Sequence, residues 1–579
     1  MLTGKLPMRT NGIRNKIANL FVCMTAALLI ATPAIAQEQL QTTPKLAPAG
    51  TGASSDATDP VLIVTLGSLD KLMQDANYIT GAVGQPQLGG LFSMIAGSYA
   101  QGMDMNQPIG VLVPLVDGVP QPIAVLPTSD IKSILKRLEA QTGGPADELD
   151  DGTMVISIGA NTIFIQQKGA WAALAPRKEL LEFAPMDPTS LFEGMGNDYD
   201  IAIRLKVQQV PLETRNMLVS QMRQGFEQAM QKQEGADAEQ TREMADSSMK
   251  QLEQFINDTD ELNLGLNIDK TEQLVAIDSS FTAVDGSKLA SLYSGAHAIP
   301  SQFASVIRSD AAAYYHAATS IGPEAIEQTR KTLKSSMNSL SGMLESQDNL
   351  TPGQADDIKI LIDQIVELSM KSISEGRADM GALLLTAEDS FQFVFGAFVA
   401  DGDEAAQIAK DVAAKLENEP DAPRFEFDRS TYNGVTMHLV EADVPESEDE
   451  ARKVFGEKLQ VHIGTGEKSV YVAIGKESES LMKQLIDNSD SDKSADRPIG
   501  QFNLKLKPIL EFAQSIESNE GIAAMIEELA RGNADGVMTM VQDSIENGQA
   551  TKITISEGLL KAVGAAAQKA QAANMQGQF

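Results

Sequence analysis

Four histidines are the chain's whole supply of side chains that titrate near neutral pH without help: His297, His316, His438 and His462. Imidazole is both the usual proton shuttle and the commonest zinc ligand, so spacing decides whether these four can act together. No H-x-x-x-H or H-E-x-x-H pair occurs. His316, His438 and His462 fall in segments that read as strands and His297 near a helix end, which predicts structural roles and no metal centre. Serine offers little more. There is no G-x-S-x-G elbow. The S-x-x-K spacing occurs at Ser68–Lys71, Ser129–Lys132 and Ser247–Lys250 without S-D-N or K-T-G partners. Ser68 and Ser129 stand where helix N-caps belong.

Phosphate and cation motifs are incomplete. Gly464-Thr465-Gly466-Glu467 lacks the Lys-Ser/Thr pair of a P-loop and the third glycine of a dinucleotide fingerprint, and reads as a turn between strands. Acids cluster at Asp147, Glu148, Asp150 and Asp151, and again at Asp487, Asp490, Asp492 and Asp496. Asn488-x-Asp490-x-Asp492 opens like a calcium loop, but Lys493 stands at the required glycine and Ile499 at the bidentate glutamate. No cofactor and no catalytic residue is therefore assigned. With one tryptophan, Trp171, a sugar-binding platform is not expected. Methionines gather at Met217, Met222, Met230, Met244 and Met249 and again at Met525, Met538 and Met540. They read as core filling, with an apolar-ligand groove as the alternative.

The N-terminus sets the compartment. Lys5, Arg9, Arg14 and Lys16 precede an apolar run from Leu20 to Ile35, closed by Ala34-Ile35-Ala36 before Gln37. Charge, short apolar segment and A-x-A form a secretory signal, with Ala34 and Ala36 as the small residues and Gln37 as the new N-terminus. An uncleaved anchor is the alternative; the run falls short of the roughly 20 apolar residues of a spanning helix and carries Pro33. Val22 before Cys23 is too bulky for a lipoprotein site. Cleavage removes the chain's one cysteine, so disulfides, thiol nucleophiles and cysteine metal ligands leave with the leader. It also leaves 42 Lys and Arg against 79 Asp and Glu, a net charge of −37 instead of −33. Such acidity repels nucleic acid and anionic lipid surfaces. No later segment is long and apolar enough to span a bilayer. The expected localisation is periplasmic, cell-surface or extracellular, with a cell-envelope protein as partner.

The elements that must position these residues read as one pattern twice. Residues 1–36 are the signal peptide and 37–58 a Pro/Thr/Ser/Gly/Ala linker expected to be disordered. Residues 59–300 and 308–575 then repeat the order strand, helices, hairpin, helix, short strands, short helix, alternating strand, helical pair. The alternating strands are Asp200–Val207 (DIAIRLKV) and Gln501–Leu506 (QFNLKL), each closed by a proline, Pro211 or Pro508. Helices are expected to fill 509–548. The predicted fold class is α+β: two diverged tandem repeats, each of antiparallel or mixed sheets with helical hairpins packed on them.

With its signal, its linker and the phrases DYDIAIRLKVQQVP and SVYVAIG, the chain resembles uncharacterised exported proteins of planctomycete-type bacteria, a family of unknown function. The resemblance implies no catalytic residue. The expected function is a non-enzymatic binding or structural role, the alternatives being a carboxylate-based hydrolase and an apolar-ligand carrier on the methionine-rich helices.

Overall fold

The computed structural model describes residues 59–579 except 143, 231–248, 334–351, 417–421, 490–493 and 577–579. The leader with Ala34, Ala36 and Gln37, the linker, Ser247, Met244 and the heart of the calcium-like loop (Asp490, Asp492, Lys493) lie outside the described residues. About 40% of the chain is helix and 34% strand, a mixed α+β composition.

In chain order the strands are β1 (Leu62–Leu66), β2 (Ile109–Val113), β3 (Leu115–Val116), β4 (Val119–Pro120), β5 (Ile123–Pro127), β6 (Asp147–Glu148), β7 (Met154–Ile158), β8 (Asn161–Lys168), β9 (Trp171–Ala175), β10 (Ile201–Lys206), β11 (Thr259–Asp269) and β12 (Leu274–Ala283). There follow β13 (Ala313–Ser320), β14 (Arg377–Ala387), β15 (Ser390–Phe398), β16 (Arg424–Tyr432), β17 (Val435–Asp443), β18 (Lys458–Gly466), β19 (Ser469–Gly475), β20 (Gly500–Lys505), β21 (Val537–Ile545) and β22 (Gly548–Ser556). All but β3 and β4 join one antiparallel sheet of twenty strands. Outward from β12 the order is β11, β10, β1, β2, β5, β9, β8, β7, β6. Outward from β22 it is β21, β20, β13, β14, β15, β19, β18, β17, β16. β12 and β22 pair with each other, from Leu274 opposite Ser556 to Thr282 opposite Gly548. Separate sheets for the two halves are thus corrected to one: each half ends on a strand whose open edge the other fills.

Period-two alternation builds the middle of this sheet. Val275, Ile277 and Phe281 of β12 lie on one face with their partners Leu266, Leu262, Ile553 and Ile555. The other face buries Ala276, Asp278 and Ser280. Each arm has its own core. One gathers Ile63, Leu112, Val125, Trp171 and Phe192; the other gathers Phe303, Leu383, Val394, Tyr471 and Met482.

The helices are α1 (Leu69–Ala82), α2 (Pro86–Ala100), α3 (Ile131–Thr142), α4 (Leu212–Met230), α5 (249–258), α6 (Lys288–Tyr293), α7 (323–333), α8 (Pro352–Ile373), α9 (Gly402–Leu416), α10 (Asp449–Phe455), α11 (Ser478–Asp487), α12 (Leu506–Ile516), α13 (Glu520–Arg531) and α14 (Glu557–Gln576). Two expectations need correction. Residues 509–548 are not all helical: α13 ends at Arg531 and β21 follows, turning into β22 through Asn547 at φ 54°. Met538 and Met540 therefore sit on a strand, where every second side chain meets the same sheet face. β16, for which the sequence reading named no strand, is an outermost strand whose register slips between Glu426 and Ser430. Gly464 and Gly466 lie inside β18, and the turn is Glu467-Lys468.

Gly548 starts β22 at the seam between the arms. A Cβ there would lie 2.0 Å from the Phe281 carbonyl oxygen. Backbone cannot yield as a side chain can, so Gly548→Ala is expected to cost about 2–3 kcal/mol. Urea unfolding would measure it, and a loss under about 0.5 kcal/mol would refute the close approach.

Candidate functional site

A buried charge cluster forms where α1 meets the ends of β10 and β11. Ser68 caps α1, accepting from Lys71 N at 3.3 Å. One turn on, Lys71 and Asp75 share a face at i and i+4. Asp200 opens β10, and its carboxylate accepts from Ile268 N at 2.6 Å. Lys71 Nζ lies 2.9 Å from Asp75 Oδ2, 2.6 Å from Asp200 Oδ1 and 3.3 Å from Asn267 Oδ1. From the β11–β12 turn, Lys270 Nζ reaches Asp75 Oδ1 at 2.8 Å. Both aspartates are almost fully buried, at 1% and 2% exposure.

The two acids differ in acidity. Burial, then the hydrogen bond with Asp75, pushes Asp200 up to about 6. Burial also acts to raise Asp75, but its hydrogen bonds with Asp200, Lys270 and Lys71 outweigh this and hold it below the ordinary carboxylate value. A pair with separated acidities is what acid–base chemistry requires. Here, however, both acids are buried and two ammonium groups already pair with their oxygens.

The histidines do not gather into one cluster, although His438 and His462 border a common small cavity. His316 is fully buried on β13, with Nε2 2.9 Å from Ser301 Oγ. Ser301 Oγ donates to Asp379 Oδ1 at 2.6 Å, and Arg377 and Gln302 N hold the other oxygen. The serine thus lies between acid and imidazole with its proton committed to the acid, the reverse of a nucleophile activated by a histidine base. On β17, His438 accepts from Asp428 N through Nδ1 at 3.1 Å and meets Thr465 Oγ1 at 3.0 Å. His462 lies 3.7 Å from Glu479. His438 pairs with Ile463 and Leu439 with His462, so the two rings leave opposite faces of the sheet. His297 bonds Ser320 Oγ at 2.7 Å. Among the described residues no group of three or more histidines, cysteines or acids is placed to hold a metal ion.

Burial, followed by the charge of Arg497, lowers His316 to about 4. Folded, the ring stays neutral down to that pH, whereas the unfolded chain takes up its proton near 6.5. Its contribution is complete above pH 6.5 and is lost as pH falls toward 4, by about 3 kcal/mol at the limit. The stability difference between the native protein and His316→Asn is expected to shrink over that interval in paired urea titrations. A difference constant between pH 7 and pH 4.5 would contradict it.

Among the described residues, cavities lie away from the Asp75–Asp200 pair. One of about 300 Å³ is lined by Ile307, Arg308, Ser309, Tyr314, Asn503 and Lys505. Another of about 160 Å³ is lined by Arg429, Ser430, Met437, His438, His462 and Glu479. In the first, Arg308 is already paired with Asp310 at 2.5 Å.

Of the serines in S-x-x-K spacing, Ser68 is a cap as read, but Asp130 replaces Ser129 as the cap of α3, accepting from Ser133 N at 3.1 Å. The methionines divide: Met249 is buried, whereas Met217 and Met222 are 52% and 39% exposed. One feature escaped the sequence reading. Helix α2 exposes Leu88, Leu91, Phe92, Met94, Ile95 and Tyr99, each by 43–66%. Its trace in the sequence is the absence of any charged residue from Ala76 to Met103.

No family model, curated protein or solved structure matches the chain.

Proposed function

We propose that this chain is an exported, non-enzymatic binding protein built from two diverged copies of one α+β unit. The observation carrying the binding role is the outward-facing apolar stripe of α2, larger than the scattered apolar side chains of an ordinary surface. The non-enzymatic reading rests on the buried acids closed off by Lys71 and Lys270 and on the serine whose proton is committed to Asp379. Duplication is supported by the identical outward strand order on the two sides of the β12–β22 seam. Equivalent registers add to it: Lys206 N bonds Val61 O just as Lys505 N bonds Ala312 O. Export rests on the N-terminal charge, apolar run and Ala34-Ile35-Ala36. Kinship with exported proteins of planctomycete-type bacteria rests on the signal, the linker and the quoted phrases alone.

Affinity purification from the cell envelope, with mass spectrometry of the bait's N-terminus, tests this. The expected result is a mature chain starting at Gln37 that enriches an envelope component. A full-length cytoplasmic chain would overturn export. One observation favours a second reading, a hydrolase: the separated acidities of Asp75 and Asp200. A hydrolytic activity abolished by Asp200→Asn would establish it and displace the first.

A further inference from the structure

The cavity of about 160 Å³ opens beside the first turn of α11, at the β16 end of the sheet. Register explains its walls. Ser430 of β16 lies opposite Met437 of β17, Met437 lies opposite Gly464 of β18, and Leu439 pairs with His462. Ser430, Met437 and His462 therefore share one face. Leu481 and Met482 of α11 pack into the same core as Met437, and the first turn of that helix brings Glu479. Arg429 reaches the cavity through the slip of register between Glu426 and Ser430, which re-aims the strand locally.

Two features suit this cavity to an anion. The first is charge. Arg424 and Arg429 share Glu426, and Lys483 pairs with Glu479. Three cations thus meet two acids, a local positive surplus in a chain of net charge −33. The second is an uncommitted imidazole nitrogen. His438 has both nitrogens engaged, by Asp428 N and by Thr465 Oγ1. His462 is 8% exposed, its Nδ1 lies 3.7 Å from Glu479 Oε2, and among the described residues no hydrogen-bond partner meets its Nε2. Burial holds the ring below the ordinary imidazole value; Glu479 opposes this, and the charges of Arg429 and Lys483 add to it. Near neutral pH the ring therefore carries one proton. Glu479 draws that proton to Nδ1, and Nε2 keeps a lone pair.

We propose that this cavity binds inorganic phosphate, with negative oxygens on Arg429 and Ser430 Oγ and a phosphate O–H donated to Nε2 of His462. The lone pair on Nε2 selects the anion, because it asks for a donor. Ionised carboxylates and sulfate only accept hydrogen bonds, so either would set an oxygen lone pair against Nε2. Hydrogenphosphate carries an O–H together with negative oxygens. A phosphomonoester loses its last O–H above a pKa of about 6 and fails the same test at pH 8. Size agrees: at about 30 Å³ for each water, the cavity has room for about five, enough for a tetrahedral anion and too little for a nucleotide. The site shares no residue with the α2 stripe, so it goes beyond the binding role proposed above without resting on it.

Equilibrium dialysis of the full chain against radiolabelled phosphate at pH 8 tests this, with sulfate, acetate and methyl phosphate as competitors. Retention of label is expected, and each competitor should need at least a tenfold higher concentration than unlabelled phosphate to displace it. Arg429→Met should weaken phosphate binding at least tenfold. His462→Phe should narrow the preference for phosphate over sulfate to about twofold or less. Both variants should keep the native circular dichroism spectrum. The Arg429 side chain is 49% exposed, so its variant remains informative where the His462 change disturbs packing. No retention at millimolar phosphate overturns the proposal and leaves the cavity to water. Sulfate competing as well as phosphate overturns the donor assignment and the choice of phosphate with it. Phosphate affinity untouched by Arg429→Met puts the anion elsewhere and overturns the site. Each of these failures leaves export and the α2 binding role standing, since affinity purification tests them separately.

Discussion

Phe303→Ala is expected to lower the unfolding free energy by about 4 kcal/mol, read as a fall in the urea midpoint at unchanged slope. The ring is fully buried between the sheet and α11. Gly381 of β14 and Gly396 of β15 pair directly opposite each other and form a trough beneath it. A Cβ on Gly381 would lie 2.9 Å from Phe303 Cβ, and one on Gly396 2.5 Å from Phe303 Cδ1. Tyr471 closes the side, edge-on with ring centroids 5.7 Å apart. Truncation removes a phenyl group from water-free packing and leaves a void that two glycines cannot fill, the circumstance in which Phe→Ala costs about 3–5 kcal/mol. A loss under about 1.5 kcal/mol would mean that the site collapses around the gap. The other arm solves the same packing problem with a different segment. Gly110 on β2 lies under Phe192, which would stand 2.1 Å from a Cβ there. Phe192 follows β9, whereas Phe303 precedes β13. Filling such a trough thus demands a ring at one place in space and sets no demand on where in the chain it originates.

That freedom is one reason the sequence reveals elements better than their assembly. Residues that pack locally were legible. DIAIRLKV shows β10 by alternation. β21 was obscured because Val537–Ile545 carries two methionines, whose unbranched side chains suit helices as well as strands, and the Asn547-Gly548 turn was the signal to weigh instead. β16 was obscured because an outermost strand is paired on one side only and needs no apolar run: RFEFDRSTY is mostly polar and exposed. The Asp75–Asp200 pair is illegible for another reason. The two acids are 125 positions apart in a chain with 79 acids, and only the crossing of α1 over β10 selects them. The α2 stripe was readable only as missing charge, since its periodicity looks like that of any helix with a buried face; which face is buried depends on α1.

Lys71→Met is expected to destabilise the protein by about 3–5 kcal/mol at pH 8, and by much less at pH 5. The substitution keeps the aliphatic stem and removes the ammonium that lies 2.9 Å from Asp75 and 2.6 Å from Asp200. Lys270 still holds Asp75 Oδ1, but among the described residues no other cation pairs with Asp200. A buried charge stripped of its partner costs several kcal/mol, far more than the intact pair contributes. Protonation is the relief open to it. Asp200 already rises to about 6 through burial and its bond with Asp75, and loss of the lysine takes it higher. The unfolded acid titrates near 3.9. An acid whose folded value is raised contributes no penalty below its unfolded value, and the penalty grows as pH climbs through the interval to the folded value. The deficit relative to the native protein should therefore open between about pH 5 and pH 8. Measuring both proteins at each pH cancels the His316 contribution, which is common to them. A deficit equally large at pH 5 would mean that the lysine acts through packing of its stem. A deficit below about 1 kcal/mol at pH 8 would mean that water reaches the pair and that the acids are not held in the low-dielectric setting that their burial describes.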